Sequence, residues 1–165
     1  MFSLKAISRE SVPSALEKAE RYRLLNEPAL AESICADVLA ADPGNVKANV
    51  VMLLAITDQF SKSSLSELNR AKRQLSSLPG EYEKKYYEGI IYERMGNAIL
   101  NRGGMDSRFI AYDWFKDAMD YFENAESIRP TGNDDAILRW NTCARQIMHH
   151  KLEPRNEEMT EPPLE

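Results

Sequence analysis

The sequence predicts an all-α protein made of three helix–turn–helix pairs followed by one closing helix. Apolar residues recur at spacings of three and four along the 165 residues, and the alternation typical of strands is absent. Pro43, Pro79 and Pro130 each follow an amphipathic stretch, where a proline ends a helix. One helix pair cannot bury its own apolar face, so about three stacked pairs are the usual minimum for a stable domain.

Composition predicts one globular domain with an acidic C-terminal tail. Hydrophobic residues make up 43% and charged residues 28% of the chain, as in ordinary globular proteins, and the net charge is −5. The end of the chain, EPRNEEMTEPPLE, has too few apolar groups to offset the entropy of ordering, so we expect disorder there. The predicted divisions are an N-terminal segment (1–11), a helical domain (12–150) and this tail (151–165).

The two cysteines and the absence of long apolar runs indicate in which cellular compartment the protein is expected. Cys35 and Cys143 fall inside apolar helical patterns, which favours buried reduced thiols over a disulfide and suggests a reducing compartment. The start of the chain contains no apolar run of signal-peptide length, and no stretch approaches the roughly 20 apolar residues of a membrane span. We therefore expect a cytoplasmic protein without membrane contact.

The third helix pair carries the clearest motif. Small and aromatic residues follow one another there at spacings of three and four: Gly89, Tyr92 and Gly96 in YYEGIIYERMG, then Ala118, Phe122 and Ala125 in AMDYFENAESIRP. Ile128 and Pro130 complete the second stretch. Small residues let two helices approach closely, and the aromatic ring fills the space between them. This set resembles the tetratricopeptide repeat, a helix–turn–helix unit of about 34 residues with a Gly–x–x–Tyr element, then Ala–x–x–x–Phe, then Pro.

The other helix pairs match this template more loosely. In the first pair Cys35 takes the aromatic place, and in the second pair Leu53 replaces the glycine. The last helix, NDDAILRWNTCARQIMHH, has Asn133 as a natural N-cap. It also resembles the closing helix of small uncharacterised bacterial proteins of this family. The resemblance implies an α-solenoid of three repeats that acts by binding other proteins.

An insertion lengthens the third pair. The spacing from Gly96 to Ala118 is 22 residues where the template has about five, and the insert NAILNRGGMDSRFIAYDW (97–114) is rich in apolar side chains. The simplest interpretation extends both helices to ~21 residues, with NRGGMD as the tip of a hairpin reaching about 10 Å beyond its neighbours. Its residues Phe109, Ile110 and Trp114 either pack within the chain or form an interface with a partner, including a second copy.

The first helices of such repeats line a concave groove. By register, this groove is expected to carry Leu16, Glu20, Arg23, Lys47, Val50, Leu54, Thr57, Glu83, Tyr86, Ile90, Glu93, Ile137, Asn141 and Arg145. An apolar strip edged by charges of both signs suits a bound peptide or helix. Family members that bind chaperone tails use a clamp of lysines and asparagines. The residues at the matching places argue against such a receptor here: Leu16, Glu20, Val51, Glu83 and Tyr87.

Motifs for catalysis or metal binding are missing from the sequence. It contains no Ser/His/Asp set and no phosphate-binding glycine loop. The only histidines, His149 and His150, are adjacent and cannot share a helix face as metal ligands. We therefore expect no enzyme activity, no cofactor and no metal. A basic cluster is more typical of a solvated helix face than of nucleic-acid binding on an acidic protein: Lys62, Arg70, Lys72, Arg73, Lys84 and Lys85.

The function predicted from the sequence is a non-catalytic scaffold module that binds a peptide or helix of another protein. One alternative is a dedicated secretion or assembly chaperone for a single client, because bacterial secretion chaperones built on these repeats have a similar length. The third is nucleic-acid binding, for which affinity would fall steeply with salt concentration.

Overall fold

The computed structural model describes residues 1–61 and 65–156, and every regular element in these ranges is helical. Seven α-helices follow a short 3-10 turn at Arg9–Ser11. They are α1 (Val12–Leu24), α2 (Pro28–Ala41), α3 (Val46–Thr57), α4 (Leu65–Leu75), α5 (Glu81–Arg102), α6 (Ser107–Ser127) and α7 (Asp135–His150). The predicted all-α class is confirmed.

Helix ends follow the local chemistry of the sequence. Ends of α2, α4 and α6 precede the three prolines that predicted them. The side chain of Asn45 caps α3 by accepting the backbone N–H of Ala48 at 2.9 Å. Asn133 acts one residue outside the α7 N-cap and accepts the N–H of Asp135 at 3.0 Å. These contacts satisfy backbone donors that a helix start would otherwise leave unpaired.

Helices pack mainly on their neighbours in sequence. In addition, the odd-numbered helices contact one another, α1 with α3, α3 with α5 and α5 with α7. The most extensive contact joins α5 and α6, which are the longest helices at 22 and 21 residues. These lengths confirm the predicted extension of the third pair, and α5 continues through Gly96 without a break.

Two glycines of α5 allow the close approach of α6. A Cβ atom built on Gly89 would lie 2.6 Å from the ring of Phe122, and one on Gly96 would lie 3.1 Å from the ring of Phe115. Both rings are fully buried. The predicted packing of an aromatic ring against a small residue is confirmed at Gly89, and it recurs at Gly96 and Phe115, which flank the insertion.

The core is divided among clusters that link successive helix pairs. One cluster joins α3, α4 and α5 around Leu53, Phe60 and Ile91. A second joins α5, α6 and α7 around Phe115 and Phe122. Smaller clusters connect α1 and α2 to α3. Among the described residues, no helix is both long and apolar enough to cross a lipid bilayer.

The first residues of the predicted tail pack on the domain. Leu152 is buried, and its N–H donates to the carbonyl of Ile147 at 2.9 Å. Arg108 of α6 donates to the carbonyl of Lys151 at 2.9 Å, and Arg155 pairs with Asp106 at 3.1 Å. The expectation of disorder from residue 157 onward lies outside the described residues, as does Lys62 of the basic cluster.

Candidate interaction face

The exposed side of α1, α3, α5 and α7, here termed the odd-helix face, carries most of the predicted groove residues. Two of them, Lys47 and Arg145, are exposed. Six are half-buried: Arg23, Val50, Leu54, Glu83, Tyr86 and Asn141. Glu20 and Ile137 are also half-buried, so ten of the fourteen predicted groove residues lie on an accessible surface where a partner could contact them.

Four of the fourteen groove predictions are wrong, because Leu16, Thr57, Ile90 and Glu93 are buried. Leu16 is 5% exposed and packs with Val12, Val38 and Ala48, while Ile90 is 1% exposed and belongs to the cluster around Phe115. Each lies on a flank of its helix that neighbouring helices cover. A helix enclosed on two or three sides leaves only a narrow open stripe, so residues at the edge of a predicted face become core.

A chain of ion pairs ties α1, α3 and α5 together on this face. Asp58, at the end of α3, accepts Arg23 Nε of α1 at 2.6 Å and is also bonded to the guanidinium of Arg94 on α5. Arg94 further donates to Thr57 Oγ1 at 2.9 Å and to the carbonyl of Leu54 at 3.3 Å. Burial lowers the pKa of Arg94, and the negative charge of Asp58 opposes this shift. One carboxylate therefore holds two partly buried arginines.

A second ion pair joins α5 to α7. Glu93 is 4% exposed, and Arg139 donates to both of its carboxylate oxygens at 3.3 and 3.4 Å. Burial raises the pKa of Glu93, while Arg139 and then Arg94 oppose the rise. At the other end of the face, Lys47 pairs with Glu20 at 3.2 Å. Charges on the odd-helix face are thus largely paired with one another.

Three residues of these ion pairs were missed by the sequence analysis. Asp58 follows the last turn of α3, and Arg94 and Arg139 fall beside predicted groove positions rather than on them. Adjacent opposite charges in an otherwise apolar segment, Glu93 followed by Arg94 in GIIYERMG, were the available signal. Buried charges need partners, so such a pair indicates ionic contacts to other helices.

One polar depression borders the ion pairs, and another lies on α7. Because α5 extends beyond the end of α3, a depression of about 210 Å³ forms against it, lined by Thr57, Asp58, Phe60, Ser61, Arg94, Asn97, Ala98 and Asn101. A second, of about 360 Å³, lies on α7 and is lined by Thr142, Arg145, Gln146 and His149. Amide side chains both donate and accept hydrogen bonds, so they can pair with the N–H and C=O groups of an extended chain.

The three hairpin residues proposed as an interface have different environments. Trp114 packs against the cluster of α3, α4 and α5, and its ring lies 4.9 Å from that of Tyr92. Phe109 is half-buried beneath the guanidinium of Arg155, 5.7 Å from the ring centroid. Ile110 is 41% exposed. Most of the hairpin's aromatic surface therefore packs within the chain, and Ile110 stays accessible near the tip.

The structure also places the basic cluster, the cysteines and the candidate metal ligands that were considered from the sequence. Arg70 of the basic cluster pairs with Glu32 of α2, which ties α4 to α2. Both cysteines are fully buried and free, as predicted. Within residues 1–61 and 65–156, no three acidic, histidine or cysteine side chains are grouped to hold a metal ion.

Comparison with protein-family models, with curated proteins and with solved structures finds no match to this chain. The resemblance to the tetratricopeptide repeat therefore stays a prediction from the motif residues.

Proposed function

We propose that this protein is a non-catalytic interaction module whose odd-helix face binds an extended peptide segment or a helix of another protein. In this proposal the three helix pairs and α7 form a short solenoid of the tetratricopeptide type, with the odd-numbered helices on its concave side. The contacts of α1 with α3, α3 with α5 and α5 with α7 support this arrangement.

The amide-lined depression beside α5 is the observation that carries the proposal. Asn97 and Asn101 are spaced by one helical turn on the part of α5 that extends past α3, beside Arg94. Their side chains make no hydrogen bond to another described side chain or backbone group, so they are available to a partner's backbone. The ion pairs beside them hold α3 and α5 in fixed relation, which limits the ordering cost on binding.

The test begins with affinity capture from native lysate using the full-length protein, followed by quantitative binding of the identified partner. We expect Asn97→Ala/Asn101→Ala to weaken binding roughly tenfold, since two lost hydrogen bonds correspond to about 1–3 kcal/mol. The matched control is Asn69→Ala/Ser77→Ala, at exposed positions on α4 and in the turn that follows it, which should leave the affinity unchanged.

The ratio of captured partner to protein distinguishes a dedicated chaperone from a scaffold. One dominant client at a one-to-one ratio would identify a dedicated chaperone, and several weaker partners would identify a scaffold. Equal binding by the asparagine variant and the wild-type protein would contradict a role for the odd-helix face. Recovery of the protein alone would instead direct attention to Ile110 and self-association.

A further inference from the structure

A cavity of about 350 Å³ lies between α5 and α6, away from the odd-helix face. Tyr92 precedes Arg94 by two residues, which places the two side chains on nearly opposite sides of α5. The cavity lining combines two aromatic rings, two carboxylates and an amide: Tyr92, Asp117, Asp120, Tyr121 and Asn124. Its volume falls within the range of small ligand sites, and it is open to solvent.

The aromatic side of this cavity already attracts a cation. The ring of Tyr92 lies 5.0 Å from that of Tyr121 and 4.9 Å from that of Trp114. The ammonium of Lys72 sits 5.2 Å from the centroid of the Tyr92 ring and 3.3 Å from its hydroxyl oxygen. Aromatic faces carry negative charge density that attracts Lys and Arg side chains. Lys72 belongs to α4 and is not part of the cavity lining, whose residues other than Tyr92 belong to α6.

The α6 side of the cavity is negatively charged and incompletely paired. Asp120 pairs with Lys116 at 3.6 Å, whereas Asp117 has no ion pair within the part of the chain that the structure describes. Partial burial, followed by the negative charges of Asp120 and Asp113, raises the pKa of Asp117, and Lys116 opposes this. The rim residues Asp117, Asp120 and Asn124 are exposed, so a ligand can reach them.

We propose that this cavity binds a positively charged side chain, arginine or lysine, of a partner protein. The head group would contact the carboxylates of Asp117 and Asp120 and the ring of Tyr121, and its aliphatic stem would lie along the aromatic surface. Phosphate-bearing ligands do not fit, because the carboxylates repel them. The cavity gives the protein a second contact site, independent of the odd-helix face.

The test is an NMR titration of the ¹⁵N-labelled full-length protein with N-acetyl-arginine methylamide. N-acetyl-citrulline methylamide serves as the uncharged ligand of the same shape. We expect the arginine compound to cause saturable shifts at the amides of residues 117–124 and at the Trp114 indole, with the citrulline compound about ten times weaker. Equal responses to both compounds, or no saturable shift at these residues, would overturn the proposal.

Two double variants distinguish binding of arginine in the cavity from general attraction to a negatively charged protein. Asp117→Asn/Asp120→Asn keeps the side-chain shape and should weaken arginine binding by about tenfold. Glu10→Gln/Glu17→Gln removes the same number of negative charges from exposed positions near α1 and should change the affinity less than about twofold. Equal weakening in the two double variants would show nonspecific attraction and would also overturn the proposal.

Discussion

Gly89 sets how closely α5 approaches α6. The ring of Phe122 occupies the position that a side chain at residue 89 would need, and this ring is fully buried. Alanine favours the helix interior by about 1 kcal/mol over glycine. At this site the steric cost of a Cβ atom exceeds that gain. A glycine is therefore needed at residue 89 for close packing of the helices and not for an unusual backbone conformation.

We therefore expect Gly89→Ala to lower the free energy of unfolding by about 1–2 kcal/mol, the net of overpacking and improved helix propensity. Urea unfolding monitored by circular dichroism measures this change. Gly44→Ala is the matched control, because a Cβ at residue 44 meets nothing within 4 Å, and its effect should stay within about 0.5 kcal/mol. An unchanged or raised stability in Gly89→Ala would contradict the assigned packing.

The residue-level predictions from sequence succeeded where spacing alone determines the contact. The spacing of small and aromatic residues predicted a close approach of two helices with a ring filling the space, and the structure shows that Phe122 packs in this way on Gly89. Leu16 and Ile90 were misplaced because a helical period gives the direction of a side chain but not how many neighbouring helices cover it. The buried position of Glu93 likewise depends on Arg139, which is 46 residues away in sequence.

The ends of α1 and α3 are held to the middle of α5 by Asp58. This residue is 23% exposed at its side chain, and its two arginine partners are 22% and 19% exposed, so water screens the contacts only partly. Removing the shared carboxylate would leave two partly buried positive charges near each other. The cost of such an unpaired state is larger than the gain that an exposed ion pair provides.

For Asp58→Asn we expect a loss of about 2–3 kcal/mol in the free energy of unfolding, less than the fully buried limit because of partial solvent screening. The exposed pair of Arg9 with Asp42 supplies the comparison, since Arg9 is 78% exposed. Arg9→Gln should change stability by less than about 0.5 kcal/mol. Similar small effects for both variants, measured by thermal or urea unfolding, would argue against a structural role for Asp58.

Among the features of the secondary structure, the ends of the helices were the easiest to predict from the sequence. Prolines after α2, α4 and α6 and the glycines at 103 and 104 mark ends through backbone geometry alone, and both glycines have positive φ angles of 72° and 122°. The length of α5 and α6 followed from counting residues between motif positions. Ion pairs between helices could not be predicted, because long charged side chains reach partners that the helical period does not specify.

Burial of Glu93 makes the free energy of unfolding of the whole protein depend on pH. In the unfolded chain this carboxylate ionises near its ordinary pKa, whereas burial raises its pKa in the folded protein. Between these two values the folded state binds more protons than the unfolded state. The free energy of unfolding contributed by this group therefore falls as pH rises through that interval.

Glu93→Gln removes this titration while keeping the side-chain shape. We expect the variant to gain stability relative to the wild-type protein as pH rises from about 4, with the difference constant above the folded-state pKa. Urea unfolding of both proteins at several pH values gives this difference directly. A decreasing difference with rising pH would mean that attraction to Arg139 outweighs the burial of Glu93.

Both native thiols are buried in the folded protein and are therefore protected from reagents. Burial raises the pKa of Cys35 to about 11 and raises that of Cys143 further, so neither forms the thiolate that alkylating reagents attack. A cysteine introduced at exposed Met105, on the tip of the α5–α6 hairpin, would react alone. Fluorescent or spin labels could thus be attached to the hairpin of the otherwise unaltered chain, and protection of that label on mixing with a partner would report directly whether the tip is covered.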